Sequence, residues 1–176
     1  MSDYHIQTGY ITMPHLLPIL CKYGYVEEAY QLLQQEGSPS WNYLFSQGST
    51  TLAEGWKTLY ENEDGRLVIN GSLNHLGLGS VGQWFYTDIL GIRRDEEHPA
   101  YQHFYLEPQV GGGLTYAEGS YDSMYGKIES SWEISEGETE FHFTIPANTT
   151  ATVTLPHKDY QNMELGSGTY HFRLER

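Results

Sequence analysis

The stretch Leu76-Gly77-Leu78-Gly79-Ser80-Val81-Gly82-Gln83-Trp84-Phe85-Tyr86-Thr87-Asp88-Ile89-Leu90-Gly91-Ile92 is where the chain stops reading as helix. Leu78, Val81, Phe85 and Ile89 recur at the three- and four-residue intervals of one amphipathic helical face. Gly91 then stands where a left-handed C-cap is needed, with Ile92 as the apolar contact that follows it. Arg93 to Pro99 is charged and closes on proline, a boundary signal that divides the chain into 1–98 and 99–176.

Upstream of this point the period is helical. Thr12 is placed to cap a helix with Pro14 in its first turn; Leu16, Leu17, Leu20 and Tyr23 share a face, and Gly24 supplies the end. Val26, Ala29, Tyr30 and Leu33 mark a second helix that Gly37 and Pro39 terminate, so the two form an antiparallel helical hairpin. A short helical turn is expected around Trp41 to Phe45, followed by a loop-like Gly-Ser-Thr-Thr segment. Taken alone, these helices leave apolar surface that needs further layers to cover it.

Downstream the period becomes two. Phe104–Leu106, Leu114–Ser120, Lys127–Ile134, Glu140–Ile145, Ala151–Leu155 and Thr169–Leu174 are short runs rich in β-branched and aromatic residues, separated by Gly, Pro, Asn and Asp. Phe141, Phe143 and Ile145 face one side and His142 and Thr144 the other; Ala151, Val153 and Leu155 alternate with Thr150, Thr152 and Thr154. Glu136-Gly137-Glu138 and Pro146-Ala147-Asn148 read as turns. The fold class is therefore α+β: helices first, then a small antiparallel β-sandwich.

A net charge of −14 over 176 residues argues against nucleic acid or an anionic membrane surface as partner. The 39% hydrophobic content is enough for a buried core. Fifteen Tyr and 4 Trp offer flat faces suited to sugar C–H surfaces, or to filling a β-rich core. Cys21 is the one cysteine, which excludes an internal disulfide or a cysteine zinc site and reads as a buried apolar residue. His98, His103, His142, His157 and His171 form no tight ligand motif along the sequence, so neither a metal nor another cofactor is expected. Met1-Ser2-Asp3-Tyr4-His5 lacks the basic start and apolar run of a secretory signal. The chain as given is expected in the cytoplasm, and a longer parent would be free to be secreted or periplasmic.

Several stretches, taken in order, resemble the bacterial α-L-rhamnosidase family of glycoside hydrolases. They are Thr8-Gly9-Tyr10, Gly24-Tyr25 with Ala29-Tyr30, Ser40-Trp41-Asn42-Tyr43, Thr50-Thr51-Leu52-Ala53-Glu54-Gly55-Trp56, and Asn74-His75 leading into Gly79-Ser80-Val81-Gly82-Gln83-Trp84. In the second half they are Pro108, Gly111-Gly112-Gly113-Leu114, Tyr125-Gly126-Lys127-Ile128, Trp132 and Ile145-Pro146-Ala147-Asn148-Thr149-Thr150-Ala151. The resemblance implies the last helices of an α/α six-hairpin toroid followed by a carboxy-terminal β-sandwich.

By that similarity Glu54 is the general base of an inverting hydrolase, activating water against the anomeric carbon of a terminal α-L-rhamnoside, and no cofactor is needed. His75 resembles the family residue that hydrogen-bonds a rhamnose hydroxyl, with Asn74 holding the local turn; Trp56, Trp41 and Tyr43 are the further sugar-site candidates, and Trp84 reads as core. The partners implied are a rhamnose-containing glycoside and either the remainder of the toroid or a second copy packed through exposed helices. The chain departs from the family pattern in two ways. Ala53 and Gly55 stand where a Trp and often an Arg flank this Glu, and the acidic, Trp-containing motif that carries the general acid has no match between Met1 and Gly48. Inverting chemistry needs both carboxyl groups, roughly 6.5–9.5 Å apart, so the isolated chain is expected to be silent. The rival reading is a non-catalytic carbohydrate-binding or partner-packing protein.

Overall fold

The structure, a computed structural model, describes residues 5–175 and divides into two compact units, one ending at Trp84 and the other beginning at Phe85. Residues 1–4, read above for a targeting signal, lie outside the described residues. No helix is long and apolar enough to cross a membrane among the described residues.

The first unit is built on helices. α1 (Met13–Lys22) packs on α2 (Val26–Leu33), as the hairpin reading required. The α1 C-terminus closes by the bonds of a Schellman motif: Gly24 N–H donates to Cys21 O and Tyr25 N–H to Leu20 O, with Gly24 at φ +83°. At the other end Thr12 makes no side-chain cap, and Pro14 removes a donor that would have had no helical partner. The buried stripe of α1 is Met13, Leu17 and Cys21, one residue round from the face expected, which leaves Tyr23 70% exposed. α2 buries Ala29 and Tyr30 and places Glu27 and Glu28 in its first turn, where the helix dipole favours them. α3 (Trp41–Ser46) begins at Ser40, whose Oγ accepts from Tyr43 N–H at 3.0 Å.

An antiparallel hairpin, β1 (Leu59–Glu61) with β2 (Leu67–Ile69), separates Trp56 from Asn74 and was absent from the helical reading. Its turn is organised by Asn62, whose Oδ1 accepts from the N–H groups of Asp64 and Arg66, with Gly65 at φ +73°. The long helix expected from Leu76 is segmented into α4 (Leu76–Gly79), α5 (Val81–Trp84) and a π-helical turn, Phe85–Ile89. Leu78, Val81 and Ile89 are buried as expected. Trp84 rather than Phe85 takes the inward position in the first unit: its ring meets Tyr30 edge-on at 5.0 Å and its Nε1–H donates to Cys21 Sγ at 3.2 Å. Phe85 is 40% exposed.

In the second unit the wider turn is visible as the Leu90 N–H to Phe85 O bond, and it brings Asp88, Ile89 and Leu90 into the interior. The carbonyls left without helical partners at its end are met by side chains of a strand: Trp132 Nε1–H donates to Ile89 O at 2.9 Å and Ser130 Oγ to Leu90 O at 2.6 Å. The charged segment read as a boundary begins in ordered structure. Ile92–Arg94 is strand β3, and Arg93 donates to Thr87 O, Asp88 Oδ1 and Glu107 Oε2 at 2.9–3.0 Å. The two compact units divide between Trp84 and Phe85.

All six strands expected in the second half are present as β4 (His103–Leu106), β5 (Tyr116–Ser123), β6 (Gly126–Ser135), β7 (Glu138–Ile145), β8 (Thr150–Val153) and β10 (Gly168–Glu175); β9 (Met163–Leu165) and β3 are additional. They form two four-stranded sheets ordered β10-β7-β6-β5 and β3-β4-β8-β9. Every pairing is antiparallel except β4 with β8, which run parallel with Phe104 opposite Ala151. The antiparallel β-sheets of the sequence reading are present, with this one parallel pair added. Thr152 is buried as well as Ala151 and Val153, covered on its face by His103 and Glu164, which hydrogen-bond its hydroxyl, so the expected alternation fails on that strand. On β7 it holds: Phe141, Phe143 and Ile145 are buried while His142 is exposed. Phe104, Leu106, Ile128, Trp132, Phe141 and Phe143 fill the interior, each contributing about 1.5–3 kcal/mol or more of transfer free energy. The β6–β7 turn has both Glu136 and Gly137 at positive φ, the type I′ geometry that matches strand twist.

Candidate active site

Glu54 lies in an irregular segment fastened to a second one, 70–78, by a ladder of hydrogen bonds. Glu54 N–H donates to Ser72 O at 2.8 Å, His75 N–H to Leu52 O at 2.9 Å, and Asn70 N–H to Thr58 O at 2.7 Å. Thr51 Oγ1 adds a bond to Leu73 O. The Glu54 side chain joins this ladder, with Oε2 accepting from Ser72 N–H at 3.2 Å. Gly71, at φ +113°, is part of the reason: a Cβ there would stand 3.0 Å from Glu54 Oε2. Ala53 is fully buried, so the small residue where the family carries a Trp is enclosed by protein.

His75 caps α4. Its Nδ1 accepts from Gly77 N–H at 2.9 Å, which leaves Nε2 to carry the proton of the neutral ring and to act as a donor. Tyr10 meets the imidazole edge-on, with ring centroids 5.8 Å apart. Gly77 allows all this: a Cβ would lie 2.7 Å from Glu54 O, 2.8 Å from Tyr10 Cβ and 3.0 Å from His75 Nδ1. Asn74 and His75 border an open depression of about 630 Å3 together with Pro14, Thr51, Leu76 and Gln83.

Trp41 and Trp56 meet edge to face at 5.1 Å. Trp41 is buried and donates to Leu78 O at 3.1 Å, which makes it a support under α4. Trp56 Nε1 is buried without a hydrogen-bond partner. An indole N–H in that state is costly, and it marks a position where an oxygen acceptor would be welcome. Tyr43 is half-buried on α3 and does not border the depression.

The structure thus joins Glu54 to the Asn74–His75 turn and Trp41 to Trp56. Tyr10, Ser72 and Gly77 are the residues of this arrangement that sequence reasoning did not single out as site residues; Gly77 and Tyr10 stood in stretches already quoted, but nothing in the sequence shows that a helical glycine and a tyrosine from the amino-terminal segment close around one histidine. In the second unit a polar cleft of about 820 Å3 is bordered by Asp95, His98, His103, Tyr105, Thr150 and Glu164. Asp95 accepts from His98 Nδ1 at 2.7 Å and from Glu97 N–H, which holds its carboxyl below the usual carboxylate range. That charge in turn pushes the Tyr105 phenol up. Trp132, the tryptophan of this unit, is fully buried and offers no stacking face to a sugar.

The chain thus combines a helical unit, holding a half-buried carboxylate and a capping histidine, with a unit of two four-stranded sheets. The bacterial α-L-rhamnosidase six-hairpin glycosidase domain model matches residues 1–89 and the bacterial α-L-rhamnosidase C-terminal domain model matches residues 91–169. The chain belongs to the bacterial α-L-rhamnosidase family. It is 33% identical over 169 residues to an α-L-rhamnosidase of Streptomyces avermitilis, covering 96% of this chain and 16% of that protein. Its structure matches that of S. avermitilis α-L-rhamnosidase complexed with L-rhamnose at a TM-score of 0.86 and 32% identity, over 98% of this chain and 18% of the other. The match to native α-L-rhamnosidase of Aspergillus terreus has a TM-score of 0.87 at 31% identity, over 98% and 20%. The chain spans 16–18% of the length of the curated relatives it matches.

Proposed function

We propose that this chain supplies the general base and part of the sugar pocket of an inverting α-L-rhamnosidase whose general acid comes from the rest of the six-hairpin toroid. Glu54 takes a proton from the water that attacks the anomeric carbon. His75 donates through Nε2 to a hydroxyl of the terminal L-rhamnose, Asn74 shapes the turn beside it, and Trp56, packed on Trp41, lines the pocket. Trp41 and Tyr43 support this wall from α3.

The observation that carries the reading is the doubly fastened Glu54, bound through its backbone and its carboxylate to Ser72 within the segment that leads to His75. Its remaining oxygen is a fixed acceptor in a half-buried setting, the state a water-activating base requires. The exposed Ile11, Ile19, Tyr23 and Leu76, each more than half exposed, support a larger helical assembly that would cover them.

The test is hydrolysis of p-nitrophenyl α-L-rhamnoside by the native full-length gene product. Glu54→Gln, which keeps the Ser72 bond and removes the base, is expected to lower kcat by about 100- to 10,000-fold with little change in KM. The 176-residue chain alone is expected to show no turnover. Full activity of the Gln variant sinks the base assignment, and turnover by the isolated chain sinks the division of acid and base.

A further inference from the structure

The outer face of the β10-β7-β6-β5 sheet carries a cluster that sequence spacing concealed. His142 on β7 and His171 on β10 are directly opposed in register. Their rings stack at 4.2 Å with an interplanar angle of 9°. Glu140, two residues before His142 and so on the same face, directs Oε2 toward both: 3.5 Å from His171 Nε2 and 3.8 Å from His142 Nε2. One ligand atom from each of the three lies within 4.8 Å of the others. The histidines are far apart along the sequence, and strand pairing brings these two together.

We propose that Glu140, His142 and His171 form a zinc site on the β-sandwich, with two imidazole nitrogens and one carboxylate oxygen as ligands and water in the fourth position. A tetrahedral ion bound at about 2.1 Å sets its ligands about 3.4 Å apart. The Glu140–His171 separation meets this already, and the Glu140–His142 separation needs a few tenths of an ångström. The stacked rings lie only 9° from parallel, so binding requires the two half-exposed imidazoles to unstack and tilt about their side-chain torsions until both Nε2 lone pairs point at the ion.

The carboxylate is positioned for the role. Arg173 holds Glu140 Oε1 in a charge-assisted hydrogen bond and reaches Glu138 through Nε at 3.3 Å, which leaves Oε2 to the histidines. This is the arrangement in which an outer partner orients a ligating carboxylate. The surrounding face is acidic: Glu133 stands opposite Glu140, Glu175 opposite Glu138, and Glu118 and Glu129 border the depression of about 410 Å3 that His142 also lines. Arg173 alone among the neighbours named here is cationic, so the local field favours a divalent cation. Two nitrogen donors and one oxygen donor suit zinc better than calcium or magnesium, which take oxygen sets. An ion here would tie β10, the last strand, to the middle of the sheet.

The experiment is calorimetric titration of the 176-residue chain with Zn2+, alongside 15N resonances of the histidine side chains. One Zn2+ per chain is expected, with the Nε2 signals of His142 and His171 shifting while those of His98, His103 and His157 stay in place. His142→Asn and His171→Asn are each expected to weaken binding by more than about tenfold, and His98→Asn to leave it unchanged. The two key side chains are exposed on a formed sheet, and far-UV circular dichroism confirms that their variants remain folded. Absence of saturable binding, binding that survives the double variant, or shifts confined to other histidines would overturn the site.

Discussion

Gly77→Ala is the sharpest test of how the candidate site is held. The added methyl would stand 2.7 Å from Glu54 O and 2.8 Å from Tyr10 Cβ, against roughly 3.5–4.0 Å for ordinary carbon contacts. Neither neighbour is the end of a flexible side chain. One is backbone held by the Glu54 ladder, and the other is the root of the ring that packs on His75. Relief therefore requires segment 52–58 to move from α4. Overpacking of this kind costs about 1–3 kcal/mol, and loosening the Gly77 N–H to His75 Nδ1 bond adds about 1 kcal/mol. A helix-propensity gain of at most about 1 kcal/mol opposes it. The net expectation is a loss of about 1–3 kcal/mol. Gly82→Ala is the control: it too is helical, and a Cβ there meets nothing within 4 Å, so it is expected to be neutral or to stabilise by up to about 1 kcal/mol. Urea unfolding followed by tryptophan emission reads the difference, since Trp41, Trp56 and Trp84 all lie in this unit. With a urea slope of about 1–3 kcal/mol per molar, the two midpoints should separate by about 1 M. Equal midpoints, or a higher one for Gly77→Ala, would refute the close packing of Glu54, Tyr10 and His75 around Gly77.

Two further outcomes concern the second unit. Gly91→Ala combines a left-handed φ of +72° with a Cβ only 2.2 Å from Pro108 N and 2.3 Å from Glu107 C; conformational strain and backbone clash together should cost more than about 3 kcal/mol, seen as loss of a cooperative transition in the Trp132 signal, and a near-native melt would disprove the close approach. The His98 and Glu97 contacts that depress the Asp95 pKa make its contribution to stability present above the ordinary carboxylate value and lost as pH falls through the depressed one. Asp95→Asn should therefore lower the urea midpoint at neutral pH and converge with the parent in acid; a gap that stays constant from about pH 7 to pH 3 would show that the Asp95 charge is not what stabilises the loop.

How much of this was readable before the structure depends on whether a residue's partner lies in its own element. Phe141, His142 and Phe143 alternate because a strand alternates, and Gly24 and Gly91 end helices because few other residues adopt positive φ there; such features are local, and the sequence carried them. The face of α1 was misplaced by one residue, because Tyr30 and Trp84 decide which stripe of α1 is enclosed and both come from other elements. The π-helical turn was hidden for the same reason. An ordinary helical period puts Phe85 inward, whereas the observed turn is held by Trp132 and Ser130 taking the carbonyls of Ile89 and Leu90, a bond pattern that exists only once β6 has formed.

The candidate site divides along the same line. Glu54 and His75 were legible only through resemblance to a family, since an isolated Glu or His carries no local signature of chemistry. What fixes them is a ladder between segments separated by an entire hairpin, β1–β2, that the sequence reading passed over. The hairpin returns the chain so that Ser72 can present both its carbonyl and its N–H to Glu54, while the following turn delivers His75 to cap α4 with one nitrogen and point the other outward. If Glu54 is the base and His75 the sugar-binding donor, as proposed, their supply by one return of the chain holds their spacing from each other without help from the remaining helices of a toroid. Only the distance to the acid depends on those. On the proposed function, variants that loosen the β1–β2 return should lower activity of the full-length enzyme by disturbing base and donor together, and variants of the exposed Ile11, Ile19 and Leu76 should disturb the acid–base separation while leaving the Glu54–Ser72–His75 geometry intact.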